Sequence, residues 1–310
     1  MDKVLIQNLE ANNQRDLSRL ITEIENTDVE KSVDLDKLFR KTNHAIRIGI
    51  TGPPGAGKSS ITNELIKNFI KTNHKVGVIA IDPTSPFSGG SLLGDRVRMN
   101  QYHNNKNIFI RSMSTQGQLG GLSRKAQDIG DILAIAGKDI IIYETVGVGQ
   151  GEYDIVNVAD LTIIVLVPEA GDEVQLMKAG LIEIGDLFIV NKSDRKGAKQ
   201  LTEKLKSIIN INKEINRPIF NTTAKEGKGI EELFKGIMNK YEELDATGHI
   251  LKRQKIRYRL RVKKIIQEKI LNKFWTKKKI TKLNSATESI SDLKKSPIIT
   301  AKEIMENIDI

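Results

Sequence analysis

The sequence predicts an α/β fold with a mostly parallel sheet and helices on both faces. Three observations predict it. Short apolar runs alternate with helix-like stretches from residue 45 to residue 241. Most of the runs are continuously apolar, as strands buried on both faces should be. The first run leads into GITGPPGAGKSS, residues 49–60, which contains G-x-x-x-x-G-K-[ST] in full.

Residues 3–40 carry helical apolar spacing in Val4, Leu5 and Leu9, then Leu17, Leu20, Ile21 and Ile24, then Leu35, Leu38 and Phe39. Strands are expected at Ala45–Ile50, Val76–Ile81, Ile108–Arg111, Ile140–Tyr143, Leu161–Val167, Leu187–Val190 and Pro218–Phe220. Helices are expected near Ser60–Lys71, Leu122–Ile135, Glu173–Ile184, Ala198–Ile208 and Ile230–Tyr241. Ile250–Lys279 reads as one long helix, and residues 281–296, polar and rich in Ser and Lys, as a flexible connection. A last short helix follows Pro297, with Thr300 as its cap. The expected organisation is a helical extension (1–42), a P-loop domain (43–245), a basic helical arm (246–280) and a tail (281–310).

Composition narrows the classes. No run of eighteen apolar residues is present, so no membrane span is expected. The first residues, MDKVLIQNLEANNQRD, carry acids early and lack an apolar signal core, and there is no cysteine. A cytoplasmic protein is the expectation. The net charge of +10 is local: His249–Ile280 holds 13 Lys/Arg and one acid, leaving the remainder at −2. Such a helix can meet nucleic acid, a membrane surface or an acidic partner, or be a solvated or oligomer-forming helix. Its few aromatics, Tyr258, Phe274 and Trp275, speak against single-strand stacking. An oligomer-forming helix, with no nucleic-acid or membrane partner, is the expectation.

The P-loop comprises Gly52, Pro53, Pro54, Gly55, Ala56, Gly57, Lys58, Ser59 and Ser60. Its glycines let successive N–H groups face the phosphates, and the next helix adds its positive end. Lys58 is expected to reach the β/γ-phosphates and the Ser59 hydroxyl to sit on Mg2+. NKSD, residues 191–194, ends a later strand. In such a loop Asp194 takes the guanine N1–H and N2–H together, and adenine would leave that carboxylate unpaired. Asn191 is expected to touch the base edge and brace the loops, and the Lys192 stem to lie on the ring. Thr222, Thr223, Ala224 and Lys225 follow the next strand, where a backbone N–H can meet guanine O6.

ETVG, residues 144–147, stands where many GTPases carry D-x-x-G. Glu144 is the acid near Mg2+, and the Gly147 N–H is the γ-phosphate sensor. Val148 replaces the water-orienting glutamine of Ras-type enzymes, which implies slow hydrolysis or another device; Gln150 is a candidate. Asp82 follows a strand and Asp95 ends a Pro/Gly/Ser-rich loop. With Ser59 and Glu144 these are more oxygen ligands than one nucleotide-bound Mg2+ usually needs, so some act through water or in one switch state. Arg96 and Arg98 either stabilise transition-state charge or pair with local acids.

GPPGAGKSS, DPTSPFSGGSLLGDRVRM, ETVGVGQ, GDEVQLMKAGLIEIGDLFIVNKSD and the basic helix together resemble the MeaB/ArgK group over roughly residues 40–275. These are methylmalonyl-CoA mutase-associated G-protein chaperones, and the methylmalonic aciduria type A protein is a member. The resemblance implies a SIMIBI-class P-loop GTPase fold with a helical N-terminal extension and a C-terminal arm used for homodimerisation. It implies slow hydrolysis of GTP to GDP and phosphate with Mg2+. The implied partner is an adenosylcobalamin-dependent acyl-CoA mutase, methylmalonyl-CoA mutase by default, loaded in a complex with an adenosyltransferase. Ser59, Asp82, Asp95 and Glu144 fall on the family's magnesium and switch acids, with Lys58 and Gly147 at the phosphates. Val167–Lys178, with Glu169, Gly171, Asp172, Glu173, Gln175 and Lys178, falls on a further switch that signals to the mutase. The chain departs from relatives at Ser60, Thr84, Gly151 and Glu169. Two alternatives stand beside this reading. A nickel-insertion GTPase would carry His or Cys clusters, and here His44, His74, His103 and His249 are scattered. A lysine/arginine/ornithine transport ATPase, an older name for the group, is opposed by NKSD.

Overall fold

The computed structural model describes residues 14–26, 45–82, 102, 105–114, 121–145, 154–168, 180–209, 216–287 and 296–305, with backbone alone at 82, 114 and 121–124. The chain forms two compact units, Met1–Gln254 and Lys255–Ile310.

In the first unit, helix α1 (Gln14–Asn26) precedes strand β1 (Ile46–Thr51). Then come α2 (Lys58–Lys71), β2 (Val76–Asp82), β3 (Ile108–Ser114), α3 (Gly121–Ile135) and β4 (Ile140–Thr145). A short 3-10 turn at Ile155–Asn157 leads to β5 (Leu161–Leu166), α4 (Leu181–Ile184) and β6 (Leu187–Asn191). Helix α5 (Ala198–Ile209), β7 (Ile219–Thr222) and α6 (Ile230–Ala246) complete the alternation. Helix α7 (His249–Phe274) starts in this unit. All seven expected strands are present, in the order β3-β2-β4-β1-β5-β6-β7, and every pairing is parallel.

Strand alternation sends successive side chains to opposite faces, so each strand feeds two core layers. Ile48, Ile50, Ile140, Ile142, Ile163 and Val165 pack under α2 and α6. Ile79, Ile141 and Tyr143 face the other way, against α1 and α3. Ile164, Leu166, Phe188 and Val190 pack under α4 and α5 on that second face. Helix α2 buries Ile61, Leu65, Ile66 and Phe69, one stripe at helical spacing. Each fully buried side chain of this size contributes about 1.5–3 kcal/mol. Helix α1 docks by its Leu17, Leu20 and Ile21 face. Arg111 pairs with Glu25, and Gln14 Nε2 donates to the Asn105 and Ile108 carbonyls, both at 2.9 Å.

One device recurs at the N-terminal ends of the strands. Asp139, Asp160 and Asp186 each stand just before a strand and accept a backbone N–H at the start of a neighbour: Lys75 N at 2.8 Å, Arg47 N at 3.1 Å and Thr162 N at 2.8 Å. A parallel ladder leaves such terminal N–H groups unpaired, and a short carboxylate satisfies them. Arg253 Nη1 and Nη2 then close on the two Asp186 oxygens at 2.7 Å each, and Nη1 also reaches the Asp160 carbonyl at 2.7 Å. Under the sheet, Arg47 pairs with Asp131 at 2.5 Å. Burial opposes the Arg47 charge, but Tyr143, Asp131 and Asp160 outweigh it and hold the guanidinium above its ordinary value.

In the second unit the expected single helix Ile250–Lys279 is broken. Helix α7 stops at Phe274 and α8 (Lys277–Ser285) begins anew. Thr276 is extended (ψ 159°) and its hydroxyl accepts from Lys279 N, so it caps α8. Lys279 Nζ lies 3.8 Å above the Phe274 ring, closing the corner. Residues 281–285, expected to open a flexible connection, are helical instead, and 288–295 lie outside the described residues. Helix α9 (Pro297–Met305) starts at the proline, and Ser296, not Thr300, caps it: Ile299 N donates to Ser296 Oγ at 3.3 Å. Proline at the first helical position needs no N–H partner, which moves the cap one residue upstream of it.

Several expectations fall outside the described residues. These are Asp95, Arg96, Arg98, Gly147, Gln150, the stretch 169–178, and the helices from Val4–Leu9 and Leu35–Phe39. Among the described residues, no helix is long and apolar enough to cross a membrane.

Candidate functional site

The order of the sheet puts β1 between β4 and β5, where the chain's winding reverses. In open α/β sheets ligands bind beyond the carboxyl ends of the strands at such a point. The P-loop leaves β1 there. Gly52, Gly55 and Gly57 have φ of 140°, 74° and 86°. Two of them are also required by space. A Cβ on Gly52 would lie 2.1 Å from the Val165 carbonyl oxygen, and one on Gly57 would lie 2.3 Å from Asn191 Nδ2. The loop then enters α2, whose first N–H groups and positive end face the same space. Lys58 is buried, and its Nζ donates to the Gly52 and Pro53 carbonyls at 2.8 and 2.9 Å. Its ammonium sits inside the curl of the loop.

Glu144, the residue before the last of β4, pairs with Ile50 of β1 and is buried. Ser59 Oγ donates to Glu144 Oε1 at 2.5 Å. A hydroxyl and a carboxylate oxygen in contact at the start of α2 are hard donors of the type Mg2+ takes, and this donor set fits that ion. The backbone of Asp82 lies at the end of β2, two residues past Ala80, which pairs with Glu144. Among the described residues no group of three His, Cys, Asp or Glu gathers. Of the four expected Mg2+ ligands, Ser59 and Glu144 are the two whose side chains are among the described residues.

The second half of the site comes from β6 and β7. Asn191, the last residue of β6, is 3% exposed. Its Nδ2 donates to the Ala56 carbonyl at 2.8 Å, and its Oδ1 accepts from Thr222 Oγ1 at 3.1 Å and from Ala224 N at 3.2 Å. One side chain thereby ties the P-loop to the loop after β7, and among the described residues its second amide N–H has no partner and can meet a base edge. Lys192 adopts φ 56°, which turns the chain at the strand end. Asp194 is aimed by Thr223, whose hydroxyl donates to Asp194 Oδ1 at 3.3 Å; Ser193 Oγ lies 3.2 Å from the same hydroxyl. The Thr223–Lys228 bridge shapes that loop. The Glu226 hydrogen bond, and less strongly Asp194, hold the exposed Lys228 ammonium above its ordinary value.

These parts meet. One cleft of about 460 Å³ is lined by Pro54, Gly55, Gly57, Lys58, Ser59, Ser60 and Glu144 on one side, and by Asn191, Lys192, Asp194, Thr223, Ala224 and Lys225 on the other. Residues far apart in sequence thus share one space of a mononucleotide's size. The Lys58 ammonium stands in the P-loop half, and the aimed Asp194 carboxylate stands in the half built by β6 and β7. Sequence reasoning missed Thr145, Arg195 and Glu226, which also line the cleft, and the Thr51 hydroxyl, which accepts from Thr145 Oγ1 at 2.8 Å. Thr145 was legible only as the second letter of ETVG; nothing in the string pointed to Thr51.

An all-parallel sheet, a P-loop at its reversal point and an N-K-x-D loop across the same cleft define a P-loop GTPase, of the SIMIBI class by fold. The chain belongs to the MeaB family, methylmalonyl-CoA mutase-associated GTPases, whose sequence model matches residues 17–279. A Pyrococcus horikoshii protein named as a GTPase is 44% identical over 268 residues, 84% of each chain. The mouse mitochondrial methylmalonic aciduria type A homolog is 35% identical over 238 residues, 74% of this chain and 57% of that one. A crystal structure of a LAO/AO transport system kinase superposes with a TM-score of 0.71, covering 99% of this chain and 98% of that one; at 22% identity this likeness concerns the fold alone. The chain is therefore a guanine-nucleotide-binding, GTP-hydrolysing protein.

Proposed function

We propose that the chain is a G-protein chaperone of an adenosylcobalamin-dependent acyl-CoA mutase, methylmalonyl-CoA mutase first among them. Its hydrolysis of GTP to GDP and phosphate gates cofactor loading and protects the mutase, acting in a delivery complex with an adenosyltransferase and as a homodimer through the arm at 246–280. The observation that carries this reading is the match of the mutase-associated family over residues 17–279, on a chain whose P-loop and base loop share one cleft.

In this reading Lys58 turns from its own loop carbonyls to the β/γ-phosphates, and the loop N–H groups from Gly52 to Ser60 hold the α/β-phosphates. Ser59 and Glu144, with Asp82 and Asp95, hold Mg2+, which when bound neutralises charge on the β- and γ-phosphates. Asp194 reads guanine N1–H and N2–H, Lys192 covers the ring, and the Ala224 region offers N–H to O6. Gly147 senses the γ-phosphate, and loss of that group releases the loops it held. The segment Val167–Lys178 passes this state to the mutase.

The test is GTP hydrolysis by the purified protein, with ATP as control, with and without the host's adenosylcobalamin-dependent mutase. GTP-specific turnover raised by the mutase is expected. Turnover indifferent to the mutase sinks the chaperone reading. Asp194→Asn should weaken GTP and narrow its preference over ATP; an unchanged preference would mean that NKSD is not the base reader.

A further inference from the structure

The P-loop is tied to β4 at both of its ends by two consecutive residues. Glu144 and Thr145 are neighbours at the end of β4, so their side chains leave on opposite faces of the sheet. Glu144 lies in register with Ile50, which packs under α2, and it accepts from Ser59 just after the loop. Thr145 turns to the other face and donates to Thr51, the last residue before the loop, at 2.8 Å. Thr51 is 0% exposed and Thr145 3%.

The two ties are not equivalent. The Ser59–Glu144 contact joins the very oxygens that a Mg2+ would take, so it must loosen when nucleotide and metal bind. The Thr51–Thr145 contact is on the far face, made of neutral hydroxyls, and has no reason to open. We propose that Thr145 is a positioning residue: its hydroxyl bond to Thr51 keeps the end of β4 in place against the P-loop when Glu144 gives up Ser59, and so fixes where Glu144 stands during hydrolysis. This inference rests on the reading of Glu144 as the acid near Mg2+.

The experiment uses the full chain with Thr145→Val, Thr51→Val, the double variant and Thr145→Ser. Each single valine leaves one buried hydroxyl without its partner, so each should lower Tm. The double variant removes both hydroxyls at nearly constant shape, so its Tm should return close to that of the parent. Turnover should not return with it. In the double variant kcat should stay down by about tenfold, the rate equivalent of one lost buried hydrogen bond, with half-saturating Mg2+ raised and GTP affinity little changed. Thr145→Ser, which keeps the hydroxyl, should restore both. A double variant with parental kcat and Mg2+ dependence overturns the positioning role, since a purely structural bond would follow Tm. Lys58→Ala separates the two layers of the argument. Loss of nucleotide binding there, beside a normal double variant, refutes Thr145 alone; retained binding and turnover refutes the site assignment and the inference with it.

Discussion

Replacing Asn191 by alanine tests the joint between the two halves of the cleft. The side chain is 3% exposed and makes three hydrogen bonds, at 2.8 Å to Ala56 O, 3.1 Å from Thr222 Oγ1 and 3.2 Å from Ala224 N. Its partners belong to residues at 0%, 0% and 4% exposure. Truncation orphans a carbonyl, a hydroxyl and an N–H in a buried place, and each orphan costs about 1–3 kcal/mol. The cavity borders the open cleft, so water can reach part of it and the lower end of that range applies. A loss of about 3 kcal/mol in urea unfolding is the expected result. Nucleotide binding needs both loops in register, so affinity for a fluorescent GTP analogue should fall by about tenfold to a hundredfold, roughly 1.4–2.8 kcal/mol. Asn191→Asp keeps the volume and turns an oxygen toward the Ala56 carbonyl, so it should behave no better than alanine. A stability loss below about 0.5 kcal/mol with unchanged affinity would refute the brace, because orphaned groups in a closed joint cost more than that.

Three other contacts make predictions of their own. Gly57→Ala should cost at least about tenfold in nucleotide affinity, since its Cβ would fall 2.3 Å from Asn191 Nδ2 at φ 86°. Gly55→Ala, with nothing within 4 Å among the described residues, should show the left-handed strain of about 1–2 kcal/mol, and equal effects at both positions would contradict the packing argument. Lys138 is buried, and burial, with Lys75 nearby, lowers its ammonium to about 8 from 10.5. The unfolded chain therefore binds more protons between those values, so parental stability should rise with pH across that window. Lys138→Met should remove that contribution to the rise between about pH 8 and 10.5, as followed by urea unfolding at several pH values; an unchanged pH slope would refute the burial of the ammonium. Arg253→Met strips Asp186 of two 2.7 Å bonds and leaves it, among the described residues, the Thr162 N–H. A loss of about 2–4 kcal/mol is expected in thermal unfolding, and much of it should return in Arg253→Met/Asp186→Asn, where no charge is left buried.

The sequence by itself determined the alternation of strands and helices, because a strand buried on both faces must be apolar along its whole length. It determined the P-loop, because a chain that curls around phosphates needs glycine at Gly52 and Gly57 and a cation after them. It also marked NKSD and ETVG as strand-end loops, and these are local features that a string of letters carries. The break at Trp275–Thr276 was local too; the signal was a threonine three residues before Lys279, overridden by the apolar period on either side. What only the tertiary structure decided is how distant positions meet. The strand order puts Thr145 beside Thr51, Asn191 against Ala56, and Arg253 on Asp186, at separations of 94, 135 and 67 residues. Hydroxyl, amide and guanidinium groups can each satisfy many partners, so residue type alone does not choose among them. The choice is made by which strands pair, and that depends on the packing of the whole sheet.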